Sequence, residues 1–354
     1  GIDRGAMASN DGSNPVDSSP LFPGGIPVFL DAASVRSLLP NPSLLRHLES
    51  ALPSAAASVR APLRQGFLLD PAASASLLLM PAWSPAASPL PYVGVKLVTS
   101  FPGNSARALP GVHAAYVLFD SATGAVLASM DGTQLTLLRT AAISALATKF
   151  LAREEARVLV MVGAGALAPY LVRAHLLIRP AIRRVIVWNR TPGRARELVE
   201  SLRGEPQLQG VELGWSGDLD EVVGMGDVVS CATSSTDPVV KGSLLKPGAH
   251  LDLVGSFTPS MRECDEEALR RGRVFVDCEA ALEEAGELVG AFQRGSLSAG
   301  DVAGSLVDLV GGGEERAAGR RSDEEVTVFK SVGSAVVDLL AAQLAYETYL
   351  QGAH

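Results

Sequence analysis

Apolar residues along this chain follow two periods, and the switches between them lay out its architecture. Short β-branched and aliphatic runs, which read as strands, stand at 26–30, 59–69, 75–80, 93–100, 114–120 and 126–130. Helical spacing occupies 33–39, 42–57 and the long, nearly uncharged segment 135–151. Ser121-Ala122-Thr123-Gly124 separates two of these strands and predicts a hairpin, which Asp131-Gly132 ends. Residues 21–150 therefore read as an α+β region. From 158 onward, near-continuous apolar runs at 158–162, 185–188, 228–232, 250–254 and 274–277 alternate with helical segments, the first at 166–178. Apolar strands alternating with helices predict a parallel, doubly wound sheet.

The Gly/Arg/Glu-rich segment 311–322 reads as a flexible connection, followed by a strand at 326–329 and a closing helix at 332–350. That helix lies too far along to extend the second sheet, so it is expected to return to the first region. The chain then divides into a first domain of 21–150 plus 325–354 and an inserted Rossmann domain of 151–324. Residues 1–6 read as a tag remnant before Met7, and the Ser/Asn/Asp/Pro-rich stretch up to residue 20 as disordered.

The strand–turn–helix–strand unit at 158–188 carries Gly163-Ala164-Gly165 followed by Ala166, Leu167 and Ala168. In a dinucleotide-binding unit the first glycine permits the tight turn, and the second lets backbone approach a pyrophosphate. A small third residue keeps helix and strand close, and phosphate sits on N–H groups at the positive helix end. An NAD site usually places Asp or Glu about 20 residues later, on the ribose 2′-hydroxyl. Here Asn189-Arg190-Thr191 stands at that point, with Arg194 one turn on and no acid before Glu197. Two cations at a helix start oppose its dipole unless an anion lies between them, and Arg binds phosphate bidentately. The pattern favours NADPH over NADH.

Bulk properties narrow the field. The chain has 354 residues and a net charge of −8, enough length for two domains and the wrong sign for a nucleic-acid binder. No apolar run is long enough to span a membrane. Cys231, Cys264, Cys278 and five scattered histidines lack metal-ligand spacing, so no metal is expected. Free thiols fit a reducing compartment, the cytoplasm or a plastid stroma.

Three cations in the first region stand among apolar neighbours: Arg64 within the 59–69 strand, Lys96 in Val95-Lys96-Leu97, and Arg139 in the uncharged helix. Each alone fits a strand edge or a snorkelling side chain. Together they suggest a cleft for an anion such as a carboxylate, where Arg clamps and Lys can also move protons. His113, at a strand start, is a fourth candidate. Thr233, at the carboxyl end of its strand, would face the cofactor crevice, whereas Asp131 and Asp277 read as turn or cap residues.

At these residues the chain resembles the ornithine cyclodeaminase/μ-crystallin family from about residue 26 to the C-terminus. The resemblance rests on Val95-Lys96-Leu97-Val98, Met130-Asp131-Gly132, Leu138-Arg139-Thr140-Ala141-Ala142 and the glycine turn. Trp188-Asn189-Arg190-Thr191, Lys246-Pro247-Gly248-Ala249-His250 and Thr327-Val328-Phe329-Lys330-Ser331-Val332-Gly333 extend it. It implies a homodimer formed by the first domain, with Arg64, Lys96 and Arg139 around a substrate carboxylate. It also implies cofactor contacts at Gly163, Ala164, Gly165, Ala166, Leu167, Asn189, Arg190, Thr191, Arg194, Ala232, Thr233, Val254, Ser256 and Ser331, with Thr140 near the phosphates.

Members of that family differ in chemistry. The cyclodeaminases carry an Asp two residues beyond the glycine matching Gly255, where this chain has Ser256-Phe257. The resemblance is therefore nearer to NADPH-using ketimine reductases, which in plants form pipecolate from a cyclic ketimine carboxylate such as piperideine-2-carboxylate. Two rival readings are an ornithine cyclodeaminase or alanine-type dehydrogenase using NAD, and a ligand-binding protein that holds NADPH without turnover.

Overall fold

In the computed structural model, residues 26–107, 109–312 and 319–352 are described. The readings of 1–20 as tag and disorder, and the middle of the 311–322 connection, lie outside those residues. Fourteen strands build two sheets among the described residues. The first contains β1 (Val28–Leu30), β2 (Gln65–Asp70), β3 (Ala75–Trp83), β4 (Tyr92–Ser100), β5 (Val112–Asp120) and β6 (Val126–Asp131). Its order is β1-β6-β5-β4-β3-β2, antiparallel except for the parallel β1–β6 pair. Helices α1 (Ala32–Leu38), α2 (Asn41–Ser58) and α3 (Gly132–Leu151) belong to this half.

The second sheet holds β7 (Val158–Val162), β8 (Arg184–Trp188), β9 (Glu212–Ser216), β10 (Val228–Cys231), β11 (His250–Leu253), β12 (Gly272–Val276), β13 (Gly304–Ser305) and β14 (Val326–Lys330). All its pairs are parallel, in the order β13-β12-β14-β11-β10-β7-β8-β9. Its connections carry α4 (Ala168–Ile178), α5 (Pro192–Arg203), α6 (Leu219–Val223), α7 (Glu266–Arg271), α8 (Ala281–Glu284), α9 (Gly286–Arg294) and α10 (Leu306–Gly311). The last helix, α11 (Ala335–Gly352), packs on β3, β4 and β5 of the first sheet.

Three differences from the sequence reading have physical reasons. Residues 59–69 are not one strand: Pro62 has no N–H to donate, the chain runs irregularly through Arg64, and β2 begins only at Gln65. The strand at 326–330, assigned above to the first domain, instead lies inside the parallel sheet between β11 and β12. A short, fully buried apolar strand belongs wherever parallel partners flank it, and no local pattern announces them. The edge strand β9 escaped notice because it is polar and glycine-interrupted.

Helix α3 explains its own lack of charge. It touches β4, β5 and β6 on one side and β11 and β14 on the other, so both sheets use it as core. Thr327 of β14 ties these layers together: its hydroxyl donates to Leu151 O at the end of α3 (2.8 Å) and meets His250 Nδ1 at 2.9 Å. With its proton spent on Leu151, the hydroxyl accepts from His250 Nδ1–H, which makes His250 the neutral Nδ1–H tautomer. No helix among the described residues is long and apolar enough to cross a membrane, and no group of His, Cys, Asp or Glu among them is arranged for a metal.

Burial pushes His250 down to about 3 from 6.5, with Asp252 opposing and His175 and Arg320 adding to it. The unfolded chain therefore binds the extra proton first, so this contribution to stability is complete above about 6.5 and is lost as pH falls toward 3. Between pH 6.5 and pH 5, urea unfolding of the wild type is expected to lose about 2 kcal/mol relative to His250→Asn, the comparison that isolates this group from others titrating in the same range. An unchanged difference in the variant would assign the loss elsewhere.

Candidate active site

The carboxyl end of the parallel sheet forms a crevice around the glycine turn. Gly163 has φ +110°, and a Cβ there would lie 2.6 Å from Ala232 O, so only glycine fits. A Cβ on Gly165 would meet nothing within 4 Å: the space over the turn is open. Helix α4 then starts with no side-chain cap; Ala168 N–H donates to Gly165 O at 3.1 Å and Pro169 has no N–H, so the donors open to a ligand are those of the turn before it, Gly165 to Leu167. Ala168, the small third residue, is fully buried. This open cradle, with glycine backbone on its floor, suits a pyrophosphate.

Asn189 binds this turn to the next strand. Its Oδ1 accepts from Ala164 N–H at 3.2 Å and its Nδ2 donates to Thr191 O at 3.0 Å. Gly163, Ala164, Gly165, Asn189, Arg190, Thr191, Arg194, Ala232 and Thr233 line one crevice, together with Trp188, Ser234, Ser235 and Val239. Arg190 and Arg194 are exposed, and neither has an ion-pair partner among the described residues. The first turn of α5 holds no acid, and Thr191 gives it no side-chain cap. Two unpaired guanidiniums at an uncapped helix start leave a place for an anion.

The cations of the first half converge on the turn after β14, at the carboxyl end of the same sheet. Asp338 of α11 is fully buried; Lys96 Nζ lies 2.8 Å from its Oδ2 and Arg139 Nε 2.8 Å from its Oδ1. Arg139 also packs on Gly333, whose φ is +89° and whose Cβ would stand 2.8 Å from Nη2. Arg64 donates to Val332 O at 2.9 Å and grips Glu284 through Nε (2.9 Å) and Nη2 (2.6 Å). From the opposite side, Asp277 Oδ2 accepts from Ser331 Oγ (2.8 Å), Val332 N–H (3.1 Å) and Gly333 N–H (2.7 Å).

Charge in this cluster is tuned by burial. Desolvation pulls the Lys96 ammonium down to about 8, Arg139 adding to the effect and Asp338 opposing it; Arg64 is near enough to contribute. The Asp338 carboxyl stays below its ordinary range because the two cations outweigh its own burial. Tyr116, across from Lys96 on β5, is fully buried, and its hydroxyl has no hydrogen-bond partner among the described residues. Gly94 makes room for it, since a Cβ there would stand 2.0 Å from the hydroxyl. Burial first, then Asp338, keeps that phenol protonated.

Of the residues singled out in the sequence, the structure brings Arg64, Lys96 and Arg139 together. His113 is not with them: it pairs with Thr99 and is exposed on the sheet face opposite Lys96 and Tyr116, because three residues along a strand reverse the side. Ala166 and Leu167 lie in the turn between β7 and α4, and Thr140 and Val254 are buried. The hydroxyls of Ser256 and Ser331 point into the protein, to Glu287 and Asp277.

Asp338, Tyr116 and Glu284 were missed, and Asp277 was undervalued as a turn residue. For Asp338 a signal existed, a lone acid in the otherwise apolar Ala335–Leu340 stretch of a helix.

Comparison with known proteins finds relatives over most of the chain. Protein SAR DEFICIENT 4 of Arabidopsis thaliana is 53% identical over 325 residues, covering 92% of this chain and 98% of that protein. Delta(1)-pyrroline-2-carboxylate reductase of Paracoccus denitrificans is 40% identical over 287 residues, covering 79% and 88%. The structure of Thermococcus litoralis Delta(1)-pyrroline-2-carboxylate reductase, in complex with NADH and L-proline, matches with a TM-score of 0.85 at 31% identity, covering 92% and 98%. Residues 27–353 match the ornithine cyclodeaminase/mu-crystallin family, and this chain belongs to it.

Proposed function

We propose that this protein reduces a cyclic ketimine carboxylate with NADPH, turning piperideine-2-carboxylate or dehydropipecolate into pipecolate. The observation that carries the reading is the buried cluster of Lys96, Arg139 and Asp338, two cations on one acid at the carboxyl end of the nucleotide-binding sheet. Its surplus positive charge suits an anionic substrate held beside a cofactor crevice. The reductases among its relatives support the reaction type.

When bound, the nicotinamide supplies the hydride. The N–H groups of Gly165, Ala166 and Leu167 would hold the pyrophosphate, and Arg190 with Arg194 the 2′-phosphate. Arg139 would grip the substrate carboxylate, with Arg64 completing the clamp from its pairing with Glu284. Lys96 Nζ would keep a proton on the imine nitrogen, and a protonated imine accepts hydride more readily because its charge is neutralised as the bond forms. Asp338 would hold Lys96 charged and in place.

A cyclodeaminase would need a carboxylate where Ser256 and Phe257 stand; Phe257 is exposed and the Ser256 hydroxyl is turned inward. The subunit contact is read on the outer face of the first sheet. There Trp83, Val93 and Phe119 form one cross-strand row and Pro81, Val95 and Val117 another, away from the face that α11 covers. His113 shares that outer face. Sedimentation equilibrium is expected to return twice the chain mass; a monomer throughout the micromolar range would exclude the dimer.

NADPH consumption with five- and six-membered cyclic imino acids tests the reaction. Lys96→Met should lower turnover at least about 100-fold while NADPH still binds. The alkaline limb of kcat/KM is expected near 8, and Asp338→Asn should move it to lower pH by removing the group that holds Lys96 charged. An unmoved limb would detach it from Lys96, and cofactor binding without any turnover would favour a ligand-binding protein instead.

For the cofactor, Arg190→Ala should weaken NADPH about tenfold and leave NADH unchanged. Equal loss for both would refute the 2′-phosphate assignment.

A further inference from the structure

Three fully buried ionisable groups lie behind the crevice and take no part in the mechanism above: Glu263, Glu287 and Lys330. Glu263 sits in the chain between β11 and α7. Its Oε1 accepts from Thr233 N–H (2.6 Å) and Thr233 Oγ1 (3.0 Å), just beyond β10. Its Oε2 accepts from Gly255 N–H (2.7 Å) and Ser256 N–H (3.3 Å), just beyond β11. One carboxylate thus receives four donors from two loops at the carboxyl ends of adjacent strands. The loops are pressed together: a Cβ on Gly255 would lie 2.0 Å from Thr233 O.

A second acid supports the first. Glu287 Oε1 accepts from Glu263 N–H and its Oε2 from Ser256 Oγ, both at 2.7 Å. Lys330, on β14, places Nζ 3.9 Å from Glu263 and 3.7 Å from Glu287. A buried cation shared by two carboxylates reduces the cost of burying them. None of the three lines the crevice, but Thr233 does.

We propose that Glu263 is a positioning residue: it sets the β10 and β11 loops at the spacing that the nicotinamide half of the dinucleotide requires, with Lys330 as its counter-charge. The division of labour follows from the topology. The glycine turn on β7 and the arginines after β8 serve the phosphates and the adenosine half. A dinucleotide lying across the carboxyl ends of the strands must then pass its other half over β10 and β11, toward the Lys96–Arg139 cluster. The inference rests on the nucleotide reading of the crevice and not on the identity of the imine.

Glu263→Gln is the informative change, because an amide matches the carboxylate in shape but turns an –NH2 toward loop N–H donors. One pair of donors loses its acceptor and faces another donor. The charge-balanced pair Glu263→Gln with Lys330→Met keeps the net charge of the buried cluster and serves if the single variant does not fold. In either variant, NADPH should bind about tenfold more weakly while 2′,5′-ADP, which lacks the nicotinamide half, binds as to the wild type. Hydrogen exchange at 233–235 and 254–257 should quicken in the absence of any ligand. Parallel loss of NADPH and 2′,5′-ADP would mark a merely structural role, and unchanged NADPH affinity in the folded double variant would overturn the proposal. These measurements need no turnover: a wild type that binds NADPH but reduces no imine would defeat the proposed reaction while leaving this test intact.

Discussion

The ion cluster on Asp338 is the constraint around which the molecule is organised. It joins β4, α3 and α11, three segments far apart in the chain, and it is buried at their junction. Two cations without Asp338 would be an uncompensated burial, and removing one partner of such a cluster costs several kcal/mol. That cost obliges α11 to return to the first sheet after β14 has closed into the second. The crossing of the chain from one sheet to the other falls at Ser331–Gly333, so the turn is gripped from both sides: by Asp277, and by Arg64 and Arg139.

This arrangement places two kinds of chemistry at one end of one sheet. Parallel strands all deliver their carboxyl ends to the same edge. The glycine turn, the Thr233 and Gly255 loops and the turn after β14 therefore share a neighbourhood without any being adjacent in sequence. Helix α3, buried on nearly all sides, packs between the two sheets and carries Arg139 into the junction. Rigidity of this kind suits a reaction whose protein share is orientation and electrostatics.

Much of the crevice lining and of the buried cation cluster was legible before the fold was known. Gly163-Ala164-Gly165, Asn189, Arg190 and Arg194 could be read because a nucleotide turn is a local object, built from backbone geometry and helix-end electrostatics within some thirty residues. Lys96 and Arg139 could be flagged because charge among apolar neighbours is costly wherever it lies. What they are paired with could not be read: Asp338 and Glu284 reach them only through packing. His113 stood as a fourth candidate beside a reading as a structural histidine. Strand phase separates it from Lys96, since an odd number of residues sends a side chain to the other face.

The sequence by itself determined the classes of element, the glycine turn and the run of cations after β8, because these depend on short-range periodicity and on the conformations that glycine permits. The tertiary structure alone decided that β14 enters the parallel sheet, that Arg64 stands in an irregular segment before β2, and that two carboxylate centres, Asp338 and Glu263, organise the cations and the loops. Those outcomes depend on which distant backbones pair and which buried charges meet. Strand pairing and the desolvation of charge are properties of the assembled interior, and no local stretch of chain encodes them.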